Sequence, residues 1–415
     1  MASGHIQRMA SPVKVPSGEV AQGNECFLSS QPQMARRGRF SRRVNLVFLI
    51  RNLAIGGAER QLVALASNLD KDIFDVTVLT LYDGGELLGD LNRAGVRTVS
   101  LGKKGRWDLS SITLQLVRVL RKLKPDILHS ELTAQNLLAV MAKAVLPGTR
   151  IVWGVRSSNL DDRRRDWLSL LNCRVEIWSS RLPDLIISNS IAARTYHSTA
   201  GFAGARMVVI PNGIDTECFA PDRKAGLRCR ASLGVPDSSL AIGLVGRLDR
   251  IKDHGTFLRA AAIFARRRPD AKFVCFGPGP GDYLLELRQQ ARLLGLTDRV
   301  VWGGSFRDMP SAYNALDICC SSSFGEGLPN AIAEAMACGV PCVVTDVGDS
   351  ALVVGDTGVV VPPRSPEALA AGWAALANRM SQTPALGKAA RERIESRLSL
   401  PAFIRNTSEA LLALL

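Results

Sequence analysis

The sequence contains no long hydrophobic run. Among its 415 residues, no stretch approaches the roughly 18 consecutive apolar residues that suggest a membrane-spanning helix. The longest strand-like run, Val44–Ile50, is far shorter than that. We therefore expect the body of the protein not to be integral to a membrane.

The N-terminal region lacks the pattern of a secretory signal, in which an apolar core and a small-residue cleavage site follow the basic residues. Residues 1–43 mix Ser, Pro, Gly and Gln, and their final basic cluster runs directly into Val44. We expect a disordered basic tail over 1–43 and a cytoplasmic protein. A targeting role for the tail and an extension without function are both left open.

The nine cysteines include no Cys-x-x-Cys pair, and no histidine lies at zinc-finger spacing from them. The sequence therefore predicts neither a disulfide framework nor a zinc site. Cys275, Cys319 and Cys320 lie at the ends of apolar runs, where a free thiol behaves as a small hydrophobic side chain. This usage fits a reducing cytosol.

The net charge of +14 is concentrated in the first half of the chain. Up to Ile210 there are 29 Lys and Arg against 17 Asp and Glu, a net of +12, which leaves only +2 for the remainder. Such a surface attracts nucleic acid, an acidic substrate or an anionic membrane, although dispersed charge is often only a solvated surface. No aromatic-rich single-strand platform or recognition-helix motif is evident, so we expect no nucleic-acid partner.

Short apolar runs alternate with amphipathic stretches from Val44 onward. Runs such as Val44–Ile50 and Asp75–Leu81 are apolar at successive positions, which is typical of a parallel sheet covered by helices on both faces. A turn-forming segment, Pro211–Asp215, interrupts the alternation, which restarts at Leu240. The pattern predicts two doubly wound, Rossmann-like α/β domains facing each other across a cleft.

The predicted domain boundaries follow these breaks. We expect an N-terminal domain over 44–210, a linker over 211–237, a C-terminal domain over 238–398, and a helix within 399–415 that packs back on the N-terminal domain. In open α/β sheets, ligands bind beyond the carboxyl ends of the strands. The loops that follow the strands are therefore expected to line the cleft.

The most informative segment runs from Ser321 to Asp349. Glu326 lies in a loop between two glycines, Pro329 suits the first turn of a helix, and Glu334 falls inside that helix. The helix N-terminus would favour a phosphate or sugar hydroxyls, and a carboxylate one turn into the helix can accept hydrogen bonds from a ribose diol. On spacing alone, an ordinary strand–helix–strand unit explains the segment equally well.

This segment resembles the signature of glycosyltransferase family 4, a Glu-x7-Glu motif followed by a helix, Ala-Cys-Gly and Pro. Here Glu326 and Glu334 form the motif, and Ala337–Pro341 follows it. The resemblance extends from about Val44 to about Leu398. It implies the GT-B fold and retaining transfer of a sugar from a UDP- or GDP-linked donor.

The same resemblance implies roles for the residues of the motif. Glu334 would bind the ribose hydroxyls, and Glu326 would contact the donor sugar near the reaction centre as a catalytic residue. Gly327 and Leu328, in the loop between them, are assigned to donor binding.

A second element, Gly246–Lys252, follows the first apolar run of the second half. Arg247 and Lys252 place two cations at the mouth of the predicted cleft, where they can bind a diphosphate and neutralise charge on the departing nucleotide. The same pattern in the family grips the donor pyrophosphate and replaces a divalent cation, so we expect no metal and no other cofactor. Arg250 is interpreted as a solvated charge.

Glycine-rich loops follow the next two apolar runs. The resemblance assigns Gly277 and Gly279 to the nucleotide side of the donor site, and Gly303 to backbone contact with the base. Tight turns alone would also need these glycines. The first loop is not a dinucleotide fingerprint, because its two prolines prevent a helix from starting inside it.

The first half offers fewer candidates. Gly56 and Gly57 open a helix whose N-terminus can meet donor phosphates or an acceptor, and Gly-Gly-Ala-Glu-Arg is the usual form in many family members. His129 ends an apolar run and is assigned a catalytic role, as a donor to a sugar hydroxyl or a proton shuttle. Members of the family often have a second histidine in the stretch that here runs from Trp153 to Asn159, and Gly-Gly where this chain has Gly348-Asp349, so the acceptor side is not assigned.

The sequence as a whole predicts a hexosyltransferase of cell-envelope polysaccharide or glycolipid synthesis. Its partners would be a nucleotide-sugar donor, a glycan or lipid-linked acceptor, and an anionic membrane contacted peripherally at the inner face of the cytoplasmic membrane. A nucleotide-sugar epimerase or phosphorylase on the same fold is the alternative. A basic nucleic-acid or membrane-surface binding protein is the alternative of another class. The sugar, the base and the linkage do not follow from the sequence.

Overall fold

The computed structural model describes residues 42–105, 108–156 and 167–415. The tail expected over 1–43 lies outside the described residues, apart from Arg42 and Arg43. Arg42 donates two hydrogen bonds to Asp126 (2.7 and 2.6 Å) and so ties the start of the described chain to the first sheet. No helix in the described ranges combines the length and the apolar composition needed to cross a bilayer.

The first half contains a seven-stranded parallel sheet. Its strands are β1 (Val44–Ile50), β2 (Phe74–Thr80), β3 (Arg97–Ser100), β4 (Ile127–Glu131), β5 (Arg150–Val155), β6 (Leu185–Ser188) and β7 (Met207–Val209). Its helices are α1 (Gly57–Asn68), α2 (Leu88–Arg93), α3 (Leu109–Leu123), α4 (Thr133–Lys143), α5 (Trp167–Ser179) and α6 (Ile191–Thr199). The spatial order β3-β2-β1-β4-β5-β6-β7 reverses direction between β1 and β4, as in a doubly wound sheet.

The second half contains a six-stranded parallel sheet. Its strands are β8 (Ala241–Val245), β9 (Lys272–Phe276), β10 (Val300–Gly304), β11 (Ile318–Ser321), β12 (Cys342–Thr345) and β13 (Val359–Val361). Its helices are α7 (Arg223–Leu233), α8 (His254–Ala265), α9 (Gly281–Leu293), α10 (Met309–Asn314), α11 (Asn330–Ala337), α12 (Ser350–Val354), α13 (Pro366–Gln382) and α14 (Leu386–Arg397). The order β10-β9-β8-β11-β12-β13 reverses between β8 and β11, so both halves have the same architecture.

Helices cover both faces of each sheet, which explains the continuous apolar runs. In β1, Leu46, Phe48 and Ile50 pack into one core cluster, whereas Val47 and Leu49 pack into another on the opposite face. All five side chains are fully buried, and each contributes roughly 1.5–3 kcal/mol by its removal from water. The two doubly wound domains expected from the sequence are confirmed.

The chain crosses between the halves twice, and the two crossings lie side by side. Ile214 N donates to Leu398 O (2.7 Å), and Leu400 N donates to Ile214 O (2.9 Å). After the second crossing, α15 (Leu400–Leu412) packs Phe403 and Leu411 into the core of the first half. The first half is therefore built from two separate stretches of the chain.

The segment 211–237, expected to be a linker, contains the helix α7. The Asp222 side chain accepts from Ala225 N (2.9 Å) at its start, and Gly234, in the left-handed conformation, ends it. Cys229 and Val235 lie in the core of the second half. Most of this segment therefore belongs to the second domain, and the richness of α7 in Arg and Lys hides its helical periodicity.

Candidate active site between the two halves

Three loops at the carboxyl edge of the second sheet pack directly on one another. Gly246 N donates to Phe276 O (2.9 Å), and Gly277 N donates to Gly304 O (2.8 Å). Gly277 has a φ of +144°, and a Cβ added there would overlap the carbonyl oxygen of Gly246. Only glycine fits this position, and the loops after β8, β9 and β10 form one continuous surface.

Gly279 and Gly303 are required for the same packing. A Cβ at Gly279 would overlap the Leu248 side chain, and one at Gly303 would overlap the Phe276 ring. The structure thus brings together the three glycines assigned to the nucleotide side. Glycine is required at these positions because the loops contact one another. That the three glycines contact a nucleotide stays a prediction.

Lys252 and Glu326 form an ion pair between two loops of the second half. Lys252 Nζ donates to Glu326 Oε1 (2.6 Å), and Ser323 Oγ donates to the same oxygen (2.6 Å). The Ser322 hydroxyl donates to the carbonyl oxygen of Lys252 (2.8 Å) and holds the two loops together. Both charged side chains remain partly accessible, so each can exchange its partner for a ligand.

Arg247 and Arg250 have different surroundings although they are three residues apart. The exposed Arg247 side chain has no hydrogen-bond or ion-pair partner among the described residues. Arg250 donates to both carboxylate oxygens of Glu286 (3.1 and 2.7 Å) and lies over the Tyr283 ring. Arg247 is therefore the available cation beside Lys252.

Glu334 lies one turn into α11 and is contacted from both halves of the molecule. The Tyr313 hydroxyl donates to its Oε2 (2.7 Å), and Arg60 Nη1 of α1 lies 3.5 Å from its Oε1. The side chain is buried. The donor-side carboxylate is therefore fixed partly by the first half.

Burial is the main influence on the protonation of Glu334 and Tyr313. It raises the pKa of Glu334 above its ordinary value, although Arg60 and the Tyr313 hydroxyl oppose the effect. Burial, together with the charge of Glu334, also raises the pKa of Tyr313 well above its ordinary value. A carboxylate in such poorly hydrated surroundings forms strong hydrogen bonds with a diol.

The loop that carries Glu326 is held by the segment after β12. Asp349 N donates to Gly327 O (2.9 Å). Gly348 has a φ of +58°, and a Cβ added there would overlap the Glu326 carbonyl oxygen. Leu328 is buried in the core of the second half and anchors the other end of the loop. The position of Glu326 is therefore set by packing on both sides.

The helices α1 and α11 begin close to each other. A Cβ added at Gly57 would lie 3.6 Å from Asn330 Nδ2, and the Glu59 carboxylate folds back over Gly56. The two helix N-termini both carry positive partial charge. Their approach creates a place for phosphate or sugar oxygens between the halves.

His129 is buried inside the first half. It lies in β4 with only 1% of its surface exposed, beside the Phe48 ring and with Nε2 3.6 Å from Glu131 Oε1. Neither ring nitrogen has a hydrogen-bond partner among the described residues. Burial lowers the pKa of His129 to about 4, and Glu131 opposes the effect. The structure does not bring His129 together with Glu326, and its catalytic role stays a prediction.

A chain of hydrogen bonds runs from the buried Glu131 into the second half. Arg156 donates to both oxygens of Glu131 and, through Nη1, to Asn212 Oδ1 (2.8 Å). Asn212 Nδ2 donates to Asn330 Oδ1 (2.8 Å), at the start of α11. Arg156, through Asn212, thus connects the first half to the helix that carries Glu334.

Asp349 forms a second connection between the halves. Its two carboxylate oxygens accept from Ile191 N and Ala192 N (2.8 Å each), the first two N–H groups of α6. Burial raises the pKa of Asp349, and the two N–H groups oppose the effect. A charged group from the second half therefore caps a helix of the first.

Sequence reasoning missed the two residues that reach across the cleft. Arg60 belongs to the Gly-Gly-Ala-Glu-Arg motif, of which only the glycines were assigned, and a long side chain in the first turn of a cleft-facing helix was the available signal. Asp349 stands at a departure from the family pattern. A residue type that replaces glycine in a site loop indicates a new contact, but its partner cannot be identified without the fold.

Metal-binding clusters are absent from the part of the chain that the structure describes. There, no group of three or more His, Cys, Asp and Glu side chains is placed to hold a metal ion. The eight described cysteines are free, and burial raises the pKa of Cys275 to about 12. The described thiols form no disulfides.

Two family models match the chain, one in each half. The model described as Glycosyltransferase Family 4 matches residues 55–218, and the one described as Glycosyl transferases group 1 matches residues 239–379. The first includes Arg60 and the second includes Glu326 and Glu334. Together the matches contain nearly all of the contacts that form the site.

Curated relatives include enzymes of envelope glycan synthesis. The chain is 27% identical over 314 residues to UDP-Gal:alpha-D-GlcNAc-diphosphoundecaprenol alpha-1,3-galactosyltransferase of Escherichia coli, an alignment that covers 72% of this chain and 79% of that protein. It is 32% identical over 170 residues to the lipopolysaccharide core biosynthesis mannosyltransferase LpsB of Rhizobium meliloti. That shorter match covers 39% of this chain and 48% of the relative.

Solved structures of the same fold cover most of the chain. HepE of Anabaena, determined in complex with UDP-glucose, superposes with a TM-score of 0.79 at 22% identity, covering 89% of this chain and 100% of that chain. Sucrose-phosphate synthase of Thermosynechococcus elongatus gives a TM-score of 0.76 at 21% identity, covering 89% and 99%. The likenesses to solved structures and the paired sheets show the GT-B fold, and the two family matches, which together span most of the chain, show that it belongs to glycosyltransferase family 4.

Proposed function

We propose that this glycosyltransferase transfers a hexose, with retention of anomeric configuration, from a UDP-sugar to a glycan or lipid-linked acceptor in cell-envelope polysaccharide or glycolipid synthesis. The observation that carries the proposal is the grouping of Lys252, Glu326 and Arg247 at the cleft that also contains Glu334, where the Arg247 side chain has no partner among the described residues. UDP is favoured over GDP because the Escherichia coli relative is named for UDP-Gal and the HepE structure contains UDP-glucose.

In this proposal, the donor is held by groups of opposite charge. Lys252 and Arg247 bind the diphosphate, and Glu334 accepts hydrogen bonds from the ribose hydroxyls. Once Lys252 turns to the phosphate, Glu326 becomes available to the hydroxyls of the donor sugar. Two side-chain cations thus neutralise the negative charge that accumulates on the leaving UDP.

The transfer step needs no separate base. The acceptor hydroxyl approaches the anomeric carbon from the face that the diphosphate leaves. The new bond from its oxygen to that carbon forms as the bond from carbon to the phosphate oxygen breaks, and the leaving phosphate oxygen takes the hydroxyl proton. A closed cleft excludes water from the oxocarbenium-like sugar and strengthens its interaction with Glu326. In this scheme no proton shuttle by His129 is required.

The lipid-linked acceptor implies work at a membrane surface. The Escherichia coli relative is named for a diphosphoundecaprenol-linked substrate, and the first half of this chain carries a net charge of +12. We place this glycosyltransferase peripherally at the inner face of the cytoplasmic membrane, where an anionic leaflet attracts a basic surface.

The test is a donor screen with the purified full-length protein, because slow donor hydrolysis proceeds without the acceptor. UDP-glucose, UDP-galactose, UDP-N-acetylglucosamine, GDP-mannose and ADP-glucose are each incubated with the protein, with and without EDTA, and UDP, GDP or ADP release is measured. We expect UDP release from at least one UDP-sugar, unchanged by EDTA. Release of GDP or ADP alone would overturn the choice of donor. Conversion of a UDP-sugar to its epimer would overturn the reaction class, and loss of activity with EDTA would overturn the metal-independent mechanism.

A further inference from the structure

One helix of the first half presents apolar side chains to solvent. Leu171, Val175 and Trp178 of α5 are exposed, Trp178 by 70%, and Leu182 is exposed just after the helix ends. Spacings of four and three residues place the three helical side chains on one face. We call Leu171, Val175, Trp178 and Leu182 the α5 stripe.

The opposite face of α5 accounts for the attachment of the helix. Glu176 is buried and accepts a hydrogen bond from Asn136 Nδ2 of α4 (3.1 Å), and Ser179 is also buried. Ile177, on the same side, packs against the core of the first half. The helix is therefore attached through Glu176, Ile177 and Ser179, while the α5 stripe points to solvent.

The charges beside the α5 stripe are positive. Arg174, within α5, and Arg181, in the turn just after the helix, are both exposed. Glu176 is the only acid between positions 167 and 182, and it faces inward. The outward surface thus combines a tryptophan, aliphatic side chains and two arginines.

This combination matches the chemistry of an anionic lipid surface. Helices that lie in a membrane interface carry Trp and Leu on one side, with Arg or Lys beside them. Each cation near an anionic leaflet contributes about 1 kcal/mol. A second copy of the chain fits less well, because a twofold contact through the stripe would bring the arginines of both copies to the same interface.

We propose that the α5 stripe, with Arg174 and Arg181, docks the protein on an anionic phospholipid leaflet. The inference rests on the proposed function, in which docking brings the protein to a lipid-linked acceptor. Because α5 connects the parallel strands β5 and β6, it runs back from the cleft edge of the sheet along the flank of the first half. Docking by this flank sets the cleft beside the leaflet, so that a lipid-linked acceptor reaches the site from its edge.

The experiment is vesicle co-sedimentation of the full-length protein with phosphatidylcholine vesicles, with and without phosphatidylglycerol. We expect binding to the anionic vesicles only, weakened by added salt. The double variant Val175→Glu/Trp178→Glu should lose at least tenfold in affinity, and Arg174→Ala/Arg181→Ala should lose affinity to a smaller extent. The control is Leu293→Glu on α9 of the second half, where an 80% exposed leucine lies outside the stripe, and it should bind as the unmodified protein does.

Donor hydrolysis of all variants is measured in parallel, because none of these residues belongs to the donor site. Unchanged hydrolysis with lost vesicle binding supports the docking surface. Equal binding by Val175→Glu/Trp178→Glu, or no binding by the unmodified protein, overturns it. So does a dimer in sedimentation velocity that this variant dissociates, since the stripe is then covered by a second copy. Vesicle binding without any donor hydrolysis overturns the proposed function and leaves the docking surface standing.

Discussion

At the scale of single residues, the donor site depends on charges that can change partners. Lys252 and Glu326 neutralise each other across 2.6 Å, and in the proposed mechanism a diphosphate competes with Glu326 for the ammonium group. Arg247 has no competing acid among the described residues. The two cations are therefore not equivalent in this proposal, since only the binding of phosphate to Lys252 would release Glu326.

Replacing Lys252 tests this coupling. We expect Lys252→Ala to lower kcat for transfer by on the order of 10²-fold or more, because it removes a charge that stabilises the leaving group, while the thermal unfolding midpoint changes little. Glu326→Ala should likewise abolish transfer in a folded protein. The matched control is Arg250→Ala, two positions from Lys252, whose partner Glu286 lies outside the site. Full turnover by purified Lys252→Ala would remove Lys252 from the mechanism.

Glu334 is expected to lower the stability of the protein at neutral pH and to strengthen UDP binding. The pKa of Glu334 is raised in the folded protein, so the folded protein holds this proton more tightly than the unfolded chain does. The resulting stabilisation is complete below the pKa of Glu334 in the unfolded chain, and it is lost as the pH rises through the pKa of Glu334 in the folded protein. At pH 7 the buried charge therefore lowers the free energy of unfolding. Glu334→Gln should raise the unfolding midpoint by a few degrees at pH 7, with the gain vanishing near pH 4, and should weaken UDP binding at least tenfold. Thermal unfolding at both pH values and calorimetry with UDP measure the two effects, and a lower midpoint of Glu334→Gln at pH 7 would show that the buried charge does not destabilise the protein.

At the scale of elements, the donor surface consists of loops that require glycine to pack together. Gly277→Ala should destabilise the protein by about 1–3 kcal/mol, because the new Cβ meets the Gly246 carbonyl at a positive φ. UDP binding should weaken with it, since the loops after β8 and β9 separate. Gly281→Ala, four residues along the chain at the start of α9, meets no atom within 4 Å and is the control for both measurements. Equal urea midpoints for the two variants would show that the loop packing is dispensable.

The sequence could predict elements in which local pattern and burial agree. β1 and α11 were placed correctly because apolar runs and the Glu-x7-Glu spacing mark them directly. The sequence predicts a linker where α7 lies, because the charged residues of α7 conceal its packing against the second half. The contacts that Arg60, Arg156 and Asp349 make toward the other half do not follow from the sequence, because each partner lies more than 50 positions away and only the finished fold brings it near. The pKa of His129 depends on burial, which no local pattern reveals.

At the scale of the whole molecule, Asp349 and the Arg156 chain hold the two halves in contact. Hydrogen bonds to a charged group contribute roughly 1.5–3 kcal/mol each, so the two bonds from Asp349 to α6 are expected to favour contact between the halves. The same buried carboxylate is costly to desolvate. Closure is therefore expected to be sensitive to this one side chain.

Asp349→Ala should shift the protein toward an open form. We expect a larger radius of gyration in small-angle X-ray scattering without ligand, a return toward the unmodified value with UDP, and weaker apparent UDP affinity, because binding must then drive closure. Asp346→Ala changes an exposed acid three positions away and should leave the scattering unchanged. Scattering curves of Asp349→Ala that match the unmodified protein in both states would show that other contacts hold the cleft closed.

The return of α15 to the first sheet has a practical consequence for exchanging acceptor specificity between family members. A hybrid enzyme joined once, near position 210, would combine one parent's sheet with the other parent's final helix, leaving Phe403 and Leu411 to fill a cavity shaped for different side chains. Hybrids with two junctions, beside Ile214 and Ser399 where the crossings pair, keep each hydrophobic core with its own parent. The first half of this enzyme is thus a transplantable unit only when the last sixteen residues, 400–415, are transferred with it.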